Sequence, residues 1–254
     1  MVDSVLEQME PIGLEEMKAV RLMNRMDQKY MASAEVLEAL LERVAEGYFV
    51  QHIAGNPLAP YRTLYFDTDD LAMYTMHHNK KLNRQKLRVR TYRSTDTTFF
   101  EIKNKDNKGK TRKVRIPIDV TLFDDCLGVQ EVRSFVNDNT PYPVASLHAC
   151  LENRFERITL VDRGMKERVT IDRGIIFHNR ATGLEADISH LLVIEVKHEV
   201  GAPASDIEKA LHEMHVLPRR MSKYCIGTAL TDPAAKKNRF KSKLLYIGKL
   251  KINN

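Results

Sequence analysis

The sequence predicts an α+β fold organised around one antiparallel sheet or barrel. Three observations predict it. Seven stretches have strand-like composition, only three have helical spacing, and 254 residues with 43% hydrophobic content suffice for one sizeable core. A single domain is expected over residues 1–254.

Taken in order, residues 35–46 have apolar residues at helical spacing, with Ser33 as N-cap and Gly47 as stop. Strands follow at 62–67, 86–93, 98–105 and 110–118, where apolar and polar residues alternate. A second helix is predicted over 121–137, then strands at 154–161, 167–172 and 191–199. A third helix starts after Pro203, with Ser205 as cap, and ends near Pro218. His77 and His78 are expected in a loop before the basic strand, in a core or loop role with a minor phosphate contact as the alternative; the tail from Lys236 to Lys251 is expected as a solvated arm, with recruitment of polyphosphate or an anionic partner as the alternative.

The net charge of +6 is unevenly spread. Residues 80–118 carry fourteen Lys/Arg against Asp96, Glu101 and Asp106, a net of +11, and residues 232–254 carry seven against Asp232 alone, a net of +6. The remainder of the chain therefore carries −11. A mildly acidic body holding one concentrated basic zone attracts polyanions: nucleic acid, anionic lipid or phosphate chains. No apolar run approaches the roughly 20 residues of a membrane helix, and the N-terminus has early acids without an apolar signal core, so a soluble cytoplasmic protein is expected. Cys126, Cys150 and Cys225 are odd in number and widely spaced, which fits packed reduced thiols and excludes a disulfide framework or CxxC metal motif.

Strand side chains point alternately to two faces. Lys86, Arg88, Arg90 and Tyr92 share one face against Leu87 and Val89; Glu101, Lys103 and Lys105 oppose Phe100 and Ile102. Lys113 and Arg115 oppose Val114 and Ile116, with Arg112 breaking the pattern, and Arg168, Thr170 and Asp172 alternate with Val169 and Ile171. Glu195, Lys197 and Glu199 alternate with Ile194 and Val196. A solvated face would serve for any one strand. Like charges on three successive strands repel, however, unless a polyanion neutralises them. Nucleic acid would call for exposed stacking aromatics; the basic strands offer Tyr92, and the chain has no Trp, so no nucleic-acid partner is expected. Gly109-Lys110-Thr111 is not a P-loop, because Asn104 stands where that motif needs glycine, and His212-Glu213-Met214-His215 is not HExxH.

The segments NRMDQKYM (24–31), YRTLYFDTDDLAMYTMHHNKKLNRQKLRVRTY (61–92), FFEIKNK (99–105), GKTRKVRIPI (109–118), FER (155–157), RVTID (168–172), VIEVK (193–197) and SKY (222–224) arrive in the order of one known family. Over about residues 20–230 the chain resembles the VTC domain, the polyphosphate polymerase domain of the triphosphate tunnel metalloenzyme (CYTH-like) superfamily. The resemblance implies a closed eight-stranded antiparallel tunnel with a basic interior and flanking helices. It implies a metal-dependent transfer of the γ-phosphoryl group of ATP onto inorganic polyphosphate, with manganese the first metal and magnesium the second. The phosphate ligands it implies are Lys29, Arg88, Arg90, Lys103, Lys113, Arg115, Arg157, Arg168, Lys197, Ser222 and Lys223. Arg88, Arg90, Lys103 and Arg168 are expected to clamp the reacting phosphates, and Glu195 to bind the metal. Glu195 could equally be a plain ion-pair partner, and Glu101 either a second metal ligand or a counter-ion. Phe155 departs from the family's usual Tyr and removes a hydroxyl donor. The alternative functions are a metal-dependent tripolyphosphatase or nucleoside triphosphatase and a non-catalytic polyphosphate-binding module. Hydrolases of the superfamily usually open on an ExExK strand, whereas this chain reads Met26-Asp27-Gln28-Lys29, which favours the polymerase.

Overall fold

β-branched and aromatic residues in alternation with charged ones build long strands here, because each strand is apolar on one side and wet on the other. The computed structural model describes residues 2–20, 25–108 and 110–252. Asn24 of the first motif and Gly109 of the fourth lie outside the described residues.

The strands are β1 (Pro11–Ile12), β2 (Arg25–Ser33), β3 (Tyr48–Gln51), β4 (Ala59–Asp67), β5 (Arg84–Tyr92), β6 (Thr97–Lys105), β7 (Thr111–Ile118), β8 (His148–Asp162), β9 (Glu167–Asn179), β10 (Glu185–Asp187) and β11 (Leu191–Glu199). The helices are α1 (Val2–Gln8), α2 (Leu37–Val44), α3 (Ala72–His78), α4 (Gln130–Asn139), α5 (Asp206–Glu213), α6 (Lys223–Thr231) and α7 (Lys241–Ile252). Eight strands form one path, β2-β11-β9-β8-β4-β5-β6-β7, antiparallel at every step; β3 pairs with β8, β1 runs parallel to β3, and β10 extends β9.

The sheet is not the closed eight-stranded tunnel that the resemblance implies: it has eleven strands and its end strands, β2 and β7, do not pair. The reason lies on β2. Its free edge is already used, since Arg219 donates its backbone N–H to the carbonyl of Lys29 at 2.7 Å and Pro218 bridges Tyr30. At the other end Thr111, Arg112 and Lys113 of β7 stay exposed.

The outer face is apolar and is covered in two places. Ile158, Leu160, Val169, Ile171, Ile194 and Val196 pack against Leu37, Leu40, Leu41 and Val44 of α2 and Ile207, Ala210 and Leu211 of α5. Leu64, Leu87, Val89, Phe100 and Ile102 pack against Val132 and Val136 of α4, with Phe123 and Cys126. The predicted first helix is present, and Ser33 caps a short 3-10 turn (Ala34–Val36) leading into α2. The predicted helix over 121–137 is broken into 3-10 turns at Val120–Leu122 and Cys126–Gly128 before α4, because this segment must bend to seat both Phe123 and Cys126 in the core. His77 and His78 close α3 rather than lying in a loop. All three cysteines are free and buried. Among the described residues no helix is long and apolar enough to cross a membrane.

Helix α6 approaches the sheet most closely. A Cβ at Gly227 would meet Phe177 Cδ1 at 2.5 Å and Leu151 Cδ2 at 2.6 Å, so only glycine admits the helix to this depth. Fully buried Asp67 ties the same region together: it accepts the backbone N–H groups of Met73 and Tyr74 in α3, each at 2.9 Å, and the hydroxyl of Tyr224 in α6.

Candidate phosphate-binding site

The register decides which charged side chains meet. Lys29 lies opposite Glu195, Lys197 opposite Arg168, Arg157 opposite Asp172, Lys86 opposite Lys103, and Arg88 opposite Glu101. Lys113 stands opposite Lys103, and Arg115 opposite Glu101. All of them alternate with the apolar residues of the outer face, so they share the inner one. That face is strongly curled. Lys103 on β6 acts electrostatically on Glu195 of β11 and Lys29 of β2, five and six strand steps away, which would be about 24 Å or more in a flat sheet.

Three carboxylates each hold two cations. Glu195 is bonded by Lys29 and Lys197. Glu101 takes Arg88 at 2.6 Å and Lys113 at 2.7 Å. Asp172 takes Arg157 at 2.6 Å and Lys223. Among the described residues no carboxylate pairs with Lys86, Arg90 or Lys103: Lys86 donates to Ser222 Oγ at 3.0 Å and Arg90 Nε to Thr63 Oγ1 at 3.0 Å. Arg168 stands on the same face beside Lys197, whereas Arg115 is exposed on the edge strand, its guanidinium 4.1 Å from the Phe99 ring centre.

Ser222 is the N-cap of α6. Its hydroxyl accepts the Cys225 N–H at 3.3 Å, so the positive end of a helix faces the cationic face. Phe155 does more here than lack a hydroxyl. It stacks on Tyr61, centres 5.0 Å apart, and this pair lies beneath three cations: Arg157 at 5.0 Å from the Tyr61 centre, Arg90 at 5.3 Å, and Lys223 at 4.4 Å from the Phe155 centre.

Crowding shows in the ionisation of the site. Burial, reinforced by Arg88 and Arg84, brings Lys86 down to about 8, and burial with Lys86 and Arg88 brings Lys103 to about 8. Burial alone would raise Glu101, but Arg88, Arg90 and Lys113 outweigh it and hold the carboxyl at about 2. Glu195 and Asp172 are likewise held well below the carboxylate range against the effect of burial, by Lys197 and Lys29 and by Arg157 and Lys223 respectively. His77 of α3 is kept neutral: burial and then Lys86 and Arg84 lower it to about 2.

The motifs do not disclose the bridging role of Asp172, and Lys86, which alternation sets on the basic face, and His77 are absent from the phosphate ligands the resemblance implies. Asp172 had a signal, since it shares a face with Arg168 in RVTID; His77 had one in its position just before the basic strand, where the end of α3 brings it against Lys86 and Arg84. As for a metal, no three His, Cys, Asp or Glu side chains gather to hold one among the described residues. Glu195 supplies one hard oxygen donor set, with Asp27 diagonally placed on the same inner face. This suits a divalent ion whose remaining ligands come from phosphate oxygens, and not a cage built by protein alone.

Comparison with known proteins gives an independent result. The family model described as VTC domain matches residues 24–231. No curated protein sequence matches the chain. Among solved structures, a candidate adenylate cyclase from Bacillus halodurans is similar at 16% identity and TM-score 0.50, covering 78% of this chain and 94% of its own. A candidate adenylyl cyclase from Hippeastrum, described as having a dominant triphosphatase activity, aligns at 12% identity and TM-score 0.47, over 81% of this chain and 97% of its own. At these identities the likeness concerns the fold alone.

Proposed function

Because the chain belongs to the VTC domain family, matched over residues 24–231, we propose that it is a polyphosphate polymerase that transfers the γ-phosphoryl group of ATP to a growing chain. One observation carries the reading. Cations from seven strands and the start of α6 converge on one curled face, and Lys86, Arg90 and Lys103 there have no carboxylate partner among the described residues. A linear phosphate chain carries about one negative charge per unit and can meet donors on every side, with arginine forks for paired oxygens and lysines as point charges.

Phosphoryl transfer asks for in-line placement and charge neutralisation more than for covalent help. A terminal oxygen of the chain attacks the γ-phosphorus; a new P–O bond forms while the bond to the β-phosphate oxygen breaks, its electron pair leaving with ADP. Arg88, Arg90, Lys103 and Arg168 clamp the reacting phosphates, with Lys113, Arg157, Lys197 and Lys223 along the chain and Lys29 and Ser222 at the rim. Phosphate binding frees the acids: as phosphate oxygens take over Arg88, Arg157 and Lys29, the existing pairs to Glu101, Asp172 and Glu195 exchange. A divalent metal, manganese in first place, would be held by Glu195 with the nucleotide's own oxygens and would supply further charge neutralisation.

The test is incubation of purified protein with ATP and Mn²⁺, with products resolved by length on a gel. Chains that lengthen with time support the polymerase. Orthophosphate and ADP without any lengthening chain would replace it with the hydrolase, and tight polyphosphate binding without turnover would leave a binding module. Glu195→Ala is expected to retain polyphosphate binding and lose turnover.

A further inference from the structure

The C-terminal segment is not the solvated arm its composition predicts. Helix α7 is docked: Ile247 is buried, Tyr246 donates its hydroxyl to the Met31 carbonyl of β2 at 3.0 Å, and the His190 ring lies 3.0 Å from the Ile247 carbonyl. Arg219, whose backbone is bonded to Lys29, lays its guanidinium 4.3 Å from the Tyr246 ring centre. The helix is thereby fixed beside the strand edge that carries Lys29.

Lys243 sits three residues before Tyr246, on the same side of α7. Its ammonium is held below the usual lysine range by burial first, and then by Arg219, Lys80 and Arg220. The inner face joins this group through α6. Lys86 bonds Ser222, Ser222 accepts the N–H of Cys225, and the buried Cys225 thiol feels Lys86, Lys243 and Arg84 together. A belt of cations therefore runs from Lys86 out to Lys243, Arg219, Arg220 and Lys80. Among the described residues no salt bridge neutralises these outer four. Lys80 and Arg220 are exposed.

We propose that this belt is a docking track for inorganic polyphosphate where the chain projects beyond the curled face, so that α7 and residues 219–220 hold the length the inner site cannot. The proposal rests on the phosphate-chain reading of the inner face. Charge complementarity selects the occupant. The track offers cations in series, and its aromatic ring, Tyr246, is already covered by Arg219 and bonded through its hydroxyl, which leaves no stacking platform for bases.

The experiment compares binding of tripolyphosphate, long-chain polyphosphate and vesicles of anionic phospholipid to the parent and to a Lys80→Asn, Lys243→Gln double variant. Asparagine suits the left-handed φ of +58° at position 80. The expected result is about tenfold weaker binding of the long chain, with a shallower salt dependence, and unchanged binding of tripolyphosphate. Unchanged long-chain binding overturns the track. So does an equal loss for both ligands in a variant of unchanged thermal midpoint, which would place these lysines in the inner site. A loss confined to anionic vesicles assigns the belt to a membrane surface and overturns the proposal. A parent that fails to bind tripolyphosphate overturns the inner-face reading, and the track with it.

Discussion

Lys86 and Lys103 face one another across β5 and β6, and burial beside Arg88 brings both to about 8. The sign of the consequence is fixed. In the free protein the cost of burying these charges is fully present below pH 8 and is relieved as pH rises toward the ordinary lysine value; a bound polyanion restores the charges. Tripolyphosphate binding near pH 8–9 should therefore take up protons, and near pH 6 take up almost none. Calorimetry in two buffers of different ionisation enthalpy measures this, and equal uptake at both pH values would refute it. Glu101 behaves oppositely. Its ion pairs contribute stability above its ordinary value of 4.5, and this is lost as pH falls toward about 2. Arg88→Ala removes a guanidinium from the curled face and leaves buried Glu101 with Lys113 alone, so tripolyphosphate affinity should fall by about tenfold or more. At buried Phe155, leucine would abolish the stacking on Tyr61 and three cation contacts; each such contact is worth roughly 0.5–2 kcal/mol, so stability in denaturant unfolding should fall, and phosphate affinity with it, because Arg90, Arg157 and Lys223 lose the rings they rest on.

At the scale of elements, α6 is the part on which site geometry depends. It carries Ser222 and Lys223 at its start and is pressed onto β8 and β9 at Gly227. Gly227→Ala forces Phe177 or Leu151 aside and should cost about 1–3 kcal/mol in denaturant unfolding. It should also weaken tripolyphosphate binding, because the helix start moves with the helix. Unchanged stability would mean that α6 has room the structure does not show. Asp67 explains why α3 and α6 keep their relative positions, since one buried carboxylate serves the first turn of α3 and the Tyr224 hydroxyl at once.

For the whole molecule, the sheet separates two environments: an outer apolar face under helices, and an inner face whose charged part is bordered by an apolar cluster under α6 and α7. Leu160, fully buried between β8 and the α2–α5 layer, belongs wholly to the first. Leu160→Ala should destabilise by roughly 2–5 kcal/mol and leave tripolyphosphate affinity unchanged at temperatures where the variant is folded. Under the proposed function the ligand acts through the second face: tripolyphosphate bound there should raise the thermal midpoint of the parent in a concentration-dependent way, and much less in Arg88→Ala. A scan of both proteins with and without tripolyphosphate decides the matter.

Much of this was legible in one dimension. Period-two alternation located seven strands, assigned Lys86, Arg88, Arg90, Lys103 and Lys113 to one face, and exposed a basic zone that no isolated strand explains, because alternation is a local consequence of backbone pleating. Other features needed three dimensions. Whether the end strands close depends on which groups compete for the β2 edge, and Arg219, nearly two hundred residues away, takes it. The pairing of Asp172 with Arg157 and Lys223 and the docking of a tail that reads as a free arm both arise from long-range contacts. Local pattern determines which side of a strand is charged. Which distant charges then share a space is decided only when the sheet curls.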